Sequence, residues 1–206
     1  MIPASFKDFP LIAILRGILP TESEAVCEVL FEAGFRVMEV PLNSPQPLES
    51  IARLATRFEG RALVGAGTVL SPKDVESVAA AGGRLIVSPN THAEVIRCTK
   101  RLGLLSAPGV ATPTEGFAAL ESGADFLKLF PAEQIPPPIV KAWRAVFPKE
   151  TPLIAVGGVT PDNLRDYLRA GASGFGLGSS LFQSGMSLEE VKTRAQRFAG
   201  AWKNLS

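Results

Sequence analysis

Residues 62–82 read ALVGAGTVLSPKDVESVAAAG and contain one complete strand–helix unit. The first six residues are an apolar run with the length of a β-strand. Ser71 and Asp74 have the spacing of a helix capping box, and Pro72 takes the first helical position, where no N–H is needed. Gly82 ends the helical pattern with the residue type that a left-handed cap favours. The stretch therefore predicts a β-strand that leads directly into an α-helix.

The same unit recurs along the chain. Further helix starts are predicted by capping pairs at Thr21/Glu24, Thr91/Glu94, Thr112/Glu115 and Ser187/Glu190. Prolines after Ser or Thr predict first helical positions at Pro45, Pro113 and Pro161. Helix ends are predicted at Gly34, Gly103, Gly123 and Gly171. The predicted strands are Leu11–Leu15, Val37–Leu42, Ala62–Gly67, Arg84–Ser88, Leu104–Pro108, Asp125–Phe130, Leu153–Gly157 and Gly174–Gly178.

Eight such units predict an α/β fold, a (β/α)8 TIM barrel. The length of 206 residues suits one hydrophobic core, so we expect residues 1–206 to form a single domain. Residues 1–10 are expected to be a short N-terminal extension, in which Ser5–Pro10 plugs the bottom of the barrel. The alternative is a doubly wound open sheet, but no G-x-G-x-x-G motif follows the first strand.

Composition excludes several classes of protein. Lysine and arginine number 21 against 20 acidic residues, so no basic excess exists for binding nucleic acid. Hydrophobic residues make up 46% of the chain, which excludes disorder. Apolar runs are too short for a membrane span, and Arg16 interrupts the first of them, so we expect no membrane partner and no secretory signal. The two cysteines, Cys27 and Cys98, fit packing roles on outer helices and a reducing, cytoplasmic location.

The single histidine, His92, narrows the chemistry further. Zinc enzymes usually need two or three imidazoles, and a Ser-His-Asp hydrolase would need a G-x-S-x-G motif that is missing. We therefore expect no metal, and catalysis that uses Lys, Glu or Arg. His92 itself is interpreted as a surface residue in the first turn of a helix.

Lys128 lies within the apolar run Phe126-Leu-Lys-Leu-Phe130. Helices cover the outside of a barrel, so the side chain is expected to point inward. Burial disfavours the ammonium form and makes a neutral amine available, which can attack a ketone to form a Schiff base. A purely structural lysine paired with a carboxylate is the alternative.

Glu39 has the same character, because Val37, Met38, Val40 and Leu42 surround it in the second strand. A buried carboxylate needs a partner, and Lys128 across the barrel is the candidate. The pair is either a structural ion pair or a nucleophile with a general acid/base that works through water.

Other candidates stand where strands end, which is the active-site face of a barrel. Gly157, Gly158, Gly178 and Ser179 follow the seventh and eighth strands, where barrels often bind phosphate through backbone N–H groups. The alternative is that these residues only form glycine-rich turns and bind no ligand. Arg16 and Thr68 follow the first and third strands and could bind a carboxylate. The alternatives are that Arg16 is only an exposed charge and that Thr68 only closes a turn.

The motifs at Glu39, residues 65–70 (GAGTVL), Ser88-Pro89, Lys128-Leu-Phe-Pro131 and Gly157-Gly158 together resemble the KDPG/KHG class I aldolase family over essentially the whole chain. The segments LIAILRG (11–17) and VPLNSP (40–45) are most similar to its 2-dehydro-3-deoxy-6-phosphogalactonate branch. The resemblance implies a cytosolic homotrimer that needs no metal or other cofactor.

The resemblance also implies roles for residues. Lys128 matches the Schiff-base lysine and Glu39 the acid/base glutamate. Thr68 matches the threonine near the pyruvate carboxylate, and the phosphate-site backbone corresponds to Gly157, Gly158, Gly178 and Ser179. The phosphogluconate branch typically carries arginine where this chain has Asn43, so we expect Arg16 to replace that charge.

The expected reaction is cleavage of a phosphorylated keto-acid sugar, 2-dehydro-3-deoxy-6-phosphogalactonate, to pyruvate and glyceraldehyde 3-phosphate. The phosphogluconate epimer is the alternative substrate. A sugar-phosphate epimerase or isomerase and a non-catalytic sugar-phosphate-binding barrel are the remaining alternatives.

Overall fold

The computed structural model describes Phe6 and residues 8–205. Its strands form one sheet in which every pairing is parallel. The sheet order is β5-β4-β3-β2-β1-β9-β8-β7-β6. The strands are β1 (Leu11–Ile14), β2 (Val37–Pro41), β3 (Leu63–Gly67), β4 (Leu85–Val87), β5 (Leu105–Ala107), β6 (Gly109–Val110), β7 (Leu127–Leu129), β8 (Leu153–Val156) and β9 (Gly174–Leu177).

The two ends of this sheet, β5 and β6, are consecutive in the chain and separated only by Pro108. The strand predicted over Leu104–Pro108 is observed as β5, and the chain continues past Pro108, which has no N–H, into the second short segment β6. Its carbonyl still accepts a hydrogen bond from the Lys128 N–H at 2.9 Å, which continues the sheet to β7. The fold is therefore a (β/α)8 barrel, as predicted, and the open doubly wound sheet is excluded.

A helix follows each strand except β5. These helices are α1 (Pro20–Glu32), α2 (Pro47–Arg57), α3 (Pro72–Ala80), α4 (Ala93–Arg101), α5 (Pro113–Glu121), α6 (Pro137–Arg144), α7 (Leu164–Arg169) and α8 (Leu188–Lys203). A 3₁₀ turn, Ala132–Gln134, precedes α6. None of the helices in the described part of the chain has the length and apolar character of a membrane span.

Helix caps confirm part of the prediction. Ser71, Thr112 and Ser187 each accept a hydrogen bond from the backbone N–H three residues on. The five glycines predicted to end helices all have positive φ, namely Gly34, Gly82, Gly103, Gly123 and Gly171.

Two predicted capping pairs are wrong. For Thr21/Glu24, α1 begins at Pro20, whose fixed φ starts the helix earlier, and Glu22 bonds the Leu19 N–H at 3.0 Å. For Thr91/Glu94, the cap is the neighbouring histidine, whose Nδ1 accepts the Val95 N–H at 3.4 Å. Thr91 donates instead to the Gly109 carbonyl at 2.9 Å.

Two predicted proline positions are also wrong. Pro47, rather than Pro45, is the first helical residue of α2. Pro161 lies in a turn before α7, because the Asn163 side chain accepts the Thr160 N–H at 3.0 Å and delays the helix to Leu164.

Apolar side chains form one cluster between the strands and the helices and a second inside the barrel. Phe6 belongs to the inner cluster and is 4% exposed. Its ring packs edge-on against Phe126 with 5.3 Å between centroids. Phe6 therefore occupies the barrel interior, whereas Phe9 packs against the outer cluster, so among the described residues of the predicted plug Ser5–Pro10 only Phe6 is seen to fill the barrel. Residues 1–5 and Lys7 of the predicted N-terminal extension lie outside the described residues.

Candidate active site

A cavity of about 520 Å³ opens at the carboxyl ends of the strands. This is the face where barrel active sites lie. The lining contains all eight predicted site residues, which are Arg16, Glu39, Thr68, Lys128, Gly157, Gly158, Gly178 and Ser179.

Lys128 projects from β7 and is only 8% exposed. Its Nζ lies 4.4 Å from the centroid of the Phe130 ring, so its immediate surroundings are largely apolar. Burial lowers the pKa of Lys128, Glu39 opposes this shift, and Arg16 adds to it. The lysine therefore loses its proton more readily than a solvated one and has the character of a nucleophilic amine.

Glu39 projects from β2 and is 2% exposed. Burial raises the pKa of its carboxyl to about 7, although Lys128 and Arg16 act in the opposite direction. Its Oε2 atom is buried and has no hydrogen-bond partner among the described residues. A carboxyl group that titrates near neutral pH and has a free oxygen is suited to accept and return a proton.

Gly67 makes the room for this carboxyl group. A Cβ atom at Gly67 would overlap the Glu39 carboxylate. Gly67, at the end of β3, is therefore required to leave room for the Glu39 carboxyl group, a requirement that is not evident from the sequence.

Glu39 and Lys128 stand on opposite sides of the barrel, since three strand positions separate β2 from β7 in either direction. The ion pairs of the described residues do not include them. The two groups are nevertheless electrostatic partners across the barrel, as expected, because each charge shifts the pKa of the other group. Of the two alternatives, the arrangement favours a water-mediated pair over a direct ion pair. The gap between them belongs to the cavity, where a substrate or a water can connect the two groups.

Arg16 joins the ends of three strands. Its Nη1 donates to Asn43 Oδ1, and its Nη2 donates to Thr68 Oγ1 at 3.5 Å. Thr68 has a left-handed backbone with φ of 56°, which costs energy for a β-branched residue. Asn43 and Thr68 thus hold an exposed guanidinium beside the catalytic candidates.

Gly157 and Gly158 have φ values of 107° and 62° and form the loop after β8. Asn163 holds this loop by donating to the Gly158 carbonyl at 2.9 Å. On the loop after β9, a Cβ atom at Gly178 would meet no atom within 4 Å apart from those of its chain neighbours, so the backbone there faces open space. The two loops line one side of the cavity.

Comparison with known proteins identifies the family. The sequence model of KDPG and KHG aldolase matches residues 2–196. The 2-dehydro-3-deoxy-6-phosphogalactonate aldolase of Escherichia coli (strain K12) is 47% identical over 194 residues, which cover 94% of this chain and 95% of that protein. A 2-dehydro-3-deoxy-phosphogluconate aldolase of Zymomonas mobilis subsp. mobilis is 34% identical over 170 residues, which cover 79% and 80%. A solved structure named "Native KDPGal structure" superposes with a TM-score of 0.94 at 47% identity and covers 96% of both chains.

This chain belongs to the KDPG and KHG aldolase family. The aldolase carries its buried lysine and glutamate on the strands where the sequence motifs place them. Both groups, which are predicted from the sequence, open on one cavity.

Glu133 is a cavity residue of the aldolase that the sequence analysis missed. It lies in the 3₁₀ turn after β7, and its side chain packs against Gly157 and Gly158. A Cβ at either glycine would overlap it. The motif KLFPAE places Glu133 five residues after Lys128, and this closeness is the signal that could have identified it. The direction in which a side chain leaves a turn, however, cannot be predicted from sequence spacing.

The remaining candidates lie outside the cavity of the aldolase. His92 is an exposed helix cap, in agreement with its interpretation as a surface residue. Cys27 and Cys98 are buried on α1 and α4, and burial raises the pKa of the Cys27 thiol further above its normal range. The described residues contain no group of three His, Cys, Asp or Glu side chains that could hold a metal ion.

Proposed function

We propose that this aldolase cleaves 2-dehydro-3-deoxy-6-phosphogalactonate to pyruvate and glyceraldehyde 3-phosphate. The observation that carries the proposal is a buried amine, Lys128, that faces a buried carboxyl, Glu39, across a strand-end cavity. The substrate is inferred from the relative that is named for it at 47% identity. Coupled detection of pyruvate, with each C4 epimer supplied in turn, tests the assignment.

In the proposed mechanism, Lys128 attacks the C2 ketone, and loss of water from the carbinolamine gives a protonated imine. The imine withdraws electrons as the C4 hydroxyl gives its proton through a water molecule to Glu39, which became a carboxylate when the carbinolamine lost water, and the C3–C4 bond breaks. Glyceraldehyde 3-phosphate leaves, and the enamine of pyruvate remains on Lys128. Protonation at C3 and hydrolysis of the imine then release pyruvate and restore the amine.

Glu39 moves protons during these steps. We infer that it acts through a water molecule, because it stands on the opposite side of the cavity from Lys128. A pKa of about 7 lets the carboxyl group donate a proton when water leaves the carbinolamine and accept one in the reverse direction.

Arg16 is proposed to bind the substrate carboxylate, with Thr68 beside it. We expect Arg16→Ala to lose about 2–3 kcal/mol of transition-state stabilisation, the scale of a lost charge-assisted hydrogen bond. The measurement is kcat/KM on the phosphogalactonate substrate. Arg53→Ala, which removes an exposed arginine on α2, is the control. An Arg16→Ala enzyme with unchanged kcat/KM would show that Arg16 does not bind the substrate carboxylate.

The substrate phosphate is proposed to bind the backbone of the loops after β8 and β9, at Gly157, Gly158, Gly178 and Ser179. Glycines permit close approach of backbone N–H donors to an anion. Glu133 packs against the β8 loop, so its carboxylate favours a phosphate position on the side of the β9 loop.

Gly178→Ala tests this site. The new methyl group would meet no protein atom within 4 Å apart from those of its chain neighbours, and the backbone has no positive φ, so folding is expected to be unaffected. We expect KM for the phosphorylated substrate to rise about tenfold, a loss of about 1.4 kcal/mol, because the methyl group occupies space near the phosphate. Cleavage of the unphosphorylated analogue should change little. Equal losses on both substrates would show that the loop does not hold phosphate.

The second candidate is the phosphogluconate epimer, which is favoured by the relative named for it at 34% identity. A wild-type enzyme that prefers that epimer would establish this alternative. An epimerase, isomerase or binding protein would form no covalent adduct with pyruvate, whereas the aldolase reaction requires one.

We further propose a cytoplasmic homotrimer. The family resemblance supports the trimer, and several large apolar side chains, among them Leu19, Leu48 and Leu70, are exposed. Two unpaired cysteines, Cys27 and Cys98, fit a reducing compartment. Sedimentation equilibrium tests the assembly, and a mass equal to one chain would overturn it.

A further inference from the structure

Arg194 reaches from α8 to the loop after β9. Its Nη1 donates to the Ser179 carbonyl at 3.0 Å, and Gln183 Nε2 donates to the same oxygen at 3.1 Å. Two side chains thus hold one carbonyl group of a loop that lines the active-site cavity. Neither residue is among those that the sequence predicts to be functional.

The orientation of this carbonyl determines where the next N–H points. A trans peptide unit is planar, and its C=O and N–H groups point in opposite directions. Because Arg194 and Gln183 hold the Ser179 oxygen, the Ser180 N–H points in the opposite direction, away from these two side chains. Ser180 lines the cavity, so a donor fixed in this way is available to a bound anion.

The hydrogen bonds of the loop agree with this arrangement. Leu181 and Phe182 both donate their N–H groups to the Gly178 carbonyl, at 2.8 and 2.9 Å. The hydrogen bonds of the described residues include none from the N–H groups of Ser179 and Ser180. The loop therefore presents two uncommitted donors beside Gly178.

We propose that Arg194 is a positioning residue for phosphate recognition, which it supports through the Ser179 carbonyl with Gln183 as its second anchor. The proposal rests on the proposed function, since it assumes that the loop after β9 binds the substrate phosphate. Arginine suits this task because its long side chain and several fixed donors reach a carbonyl without covering the cavity.

The test compares Arg194→Gln with the wild type on the phosphorylated substrate and on its unphosphorylated analogue. We expect KM for the phosphorylated substrate to rise about tenfold, a change of about 1.4 kcal/mol, with kcat nearly constant. The values for the unphosphorylated analogue should stay within about twofold, because the loss is confined to the phosphate end. Arg194→Lys, which keeps one donor and the charge, should restore part of the affinity.

Arg197→Gln is the matched control, because it removes the same charge from an exposed position on the same helix. An equal rise in KM in both glutamine variants would mean that Arg194 acts only through its positive charge at long range, and this would overturn the proposal. A normal KM in a folded Arg194→Gln enzyme would also overturn it, while leaving the aldolase assignment intact. Equal KM values of the wild type for both substrates would show that the loop does not bind the phosphate, and this would overturn the proposal as well.

Discussion

Lys128→Arg is expected to reduce pyruvate release by at least about 10⁴-fold, more than about 5 kcal/mol of barrier. The guanidinium of arginine stays protonated, so it cannot form the imine on which cleavage depends. The variant retains a long basic side chain, and its melting temperature shows whether the barrel remains folded. Lys141→Arg, at an exposed position on α6, is the control and should be fully active.

Substantial turnover by a folded Lys128→Arg enzyme would mean that another amine is the nucleophile. The buried position of Lys128 argues against this outcome, because burial lowers the pKa of its amine.

Glu39→Gln is expected to lower kcat by roughly 10²–10⁴, the range for loss of a positioned acid/base group. Pyruvate should still bind, since Lys128 and Arg16 are unchanged. Single-turnover measurements should place the loss in imine formation and breakdown. Glu49→Gln, on the exposed face of α2, controls for removal of an acidic group. A Glu39→Gln enzyme with normal turnover would reduce Glu39 to a structural role.

The pH dependence of stability provides an independent test of Glu39. Its pKa is raised from 4.5 to about 7 in the folded protein. Between these values the folded state binds the proton and the unfolded state does not, so rising pH removes stability. Glutamine stays neutral, so Glu39→Gln should gain stability relative to the wild type between about pH 5 and pH 8. A variant that loses relative stability over this range would indicate that Glu39 is a stabilising anion instead.

The barrel could be predicted because its determinants are local. Ser71, Thr112 and Ser187 cap helices through groups three residues away, and Gly82 ends a helix by its own backbone conformation. The helix starts were predicted incorrectly where two local sequence signals compete. At α1, Pro20 begins the helix before the apparent cap at Thr21 is reached.

The catalytic candidates could be predicted for a similar reason. Lys128 and Glu39 are ionisable residues inside apolar strands. Burying such a group costs free energy, so its presence there indicates a functional role or a charge partner. Glu133 and Arg194 could not be predicted this way, because they reach the cavity or its loops from a turn and an outer helix. Their contacts depend on three-dimensional packing that sequence spacing does not encode.

The most direct test of the account is reduction with borohydride in the presence of pyruvate, followed by peptide mass mapping of the wild-type enzyme. Pyruvate carries the ketone that Lys128 attacks, and borohydride converts the imine into a stable amine. We predict one pyruvate-derived adduct per chain, located on Lys128. An adduct on a different lysine, or a folded and active enzyme that forms no adduct, would contradict the Schiff-base mechanism proposed for this aldolase.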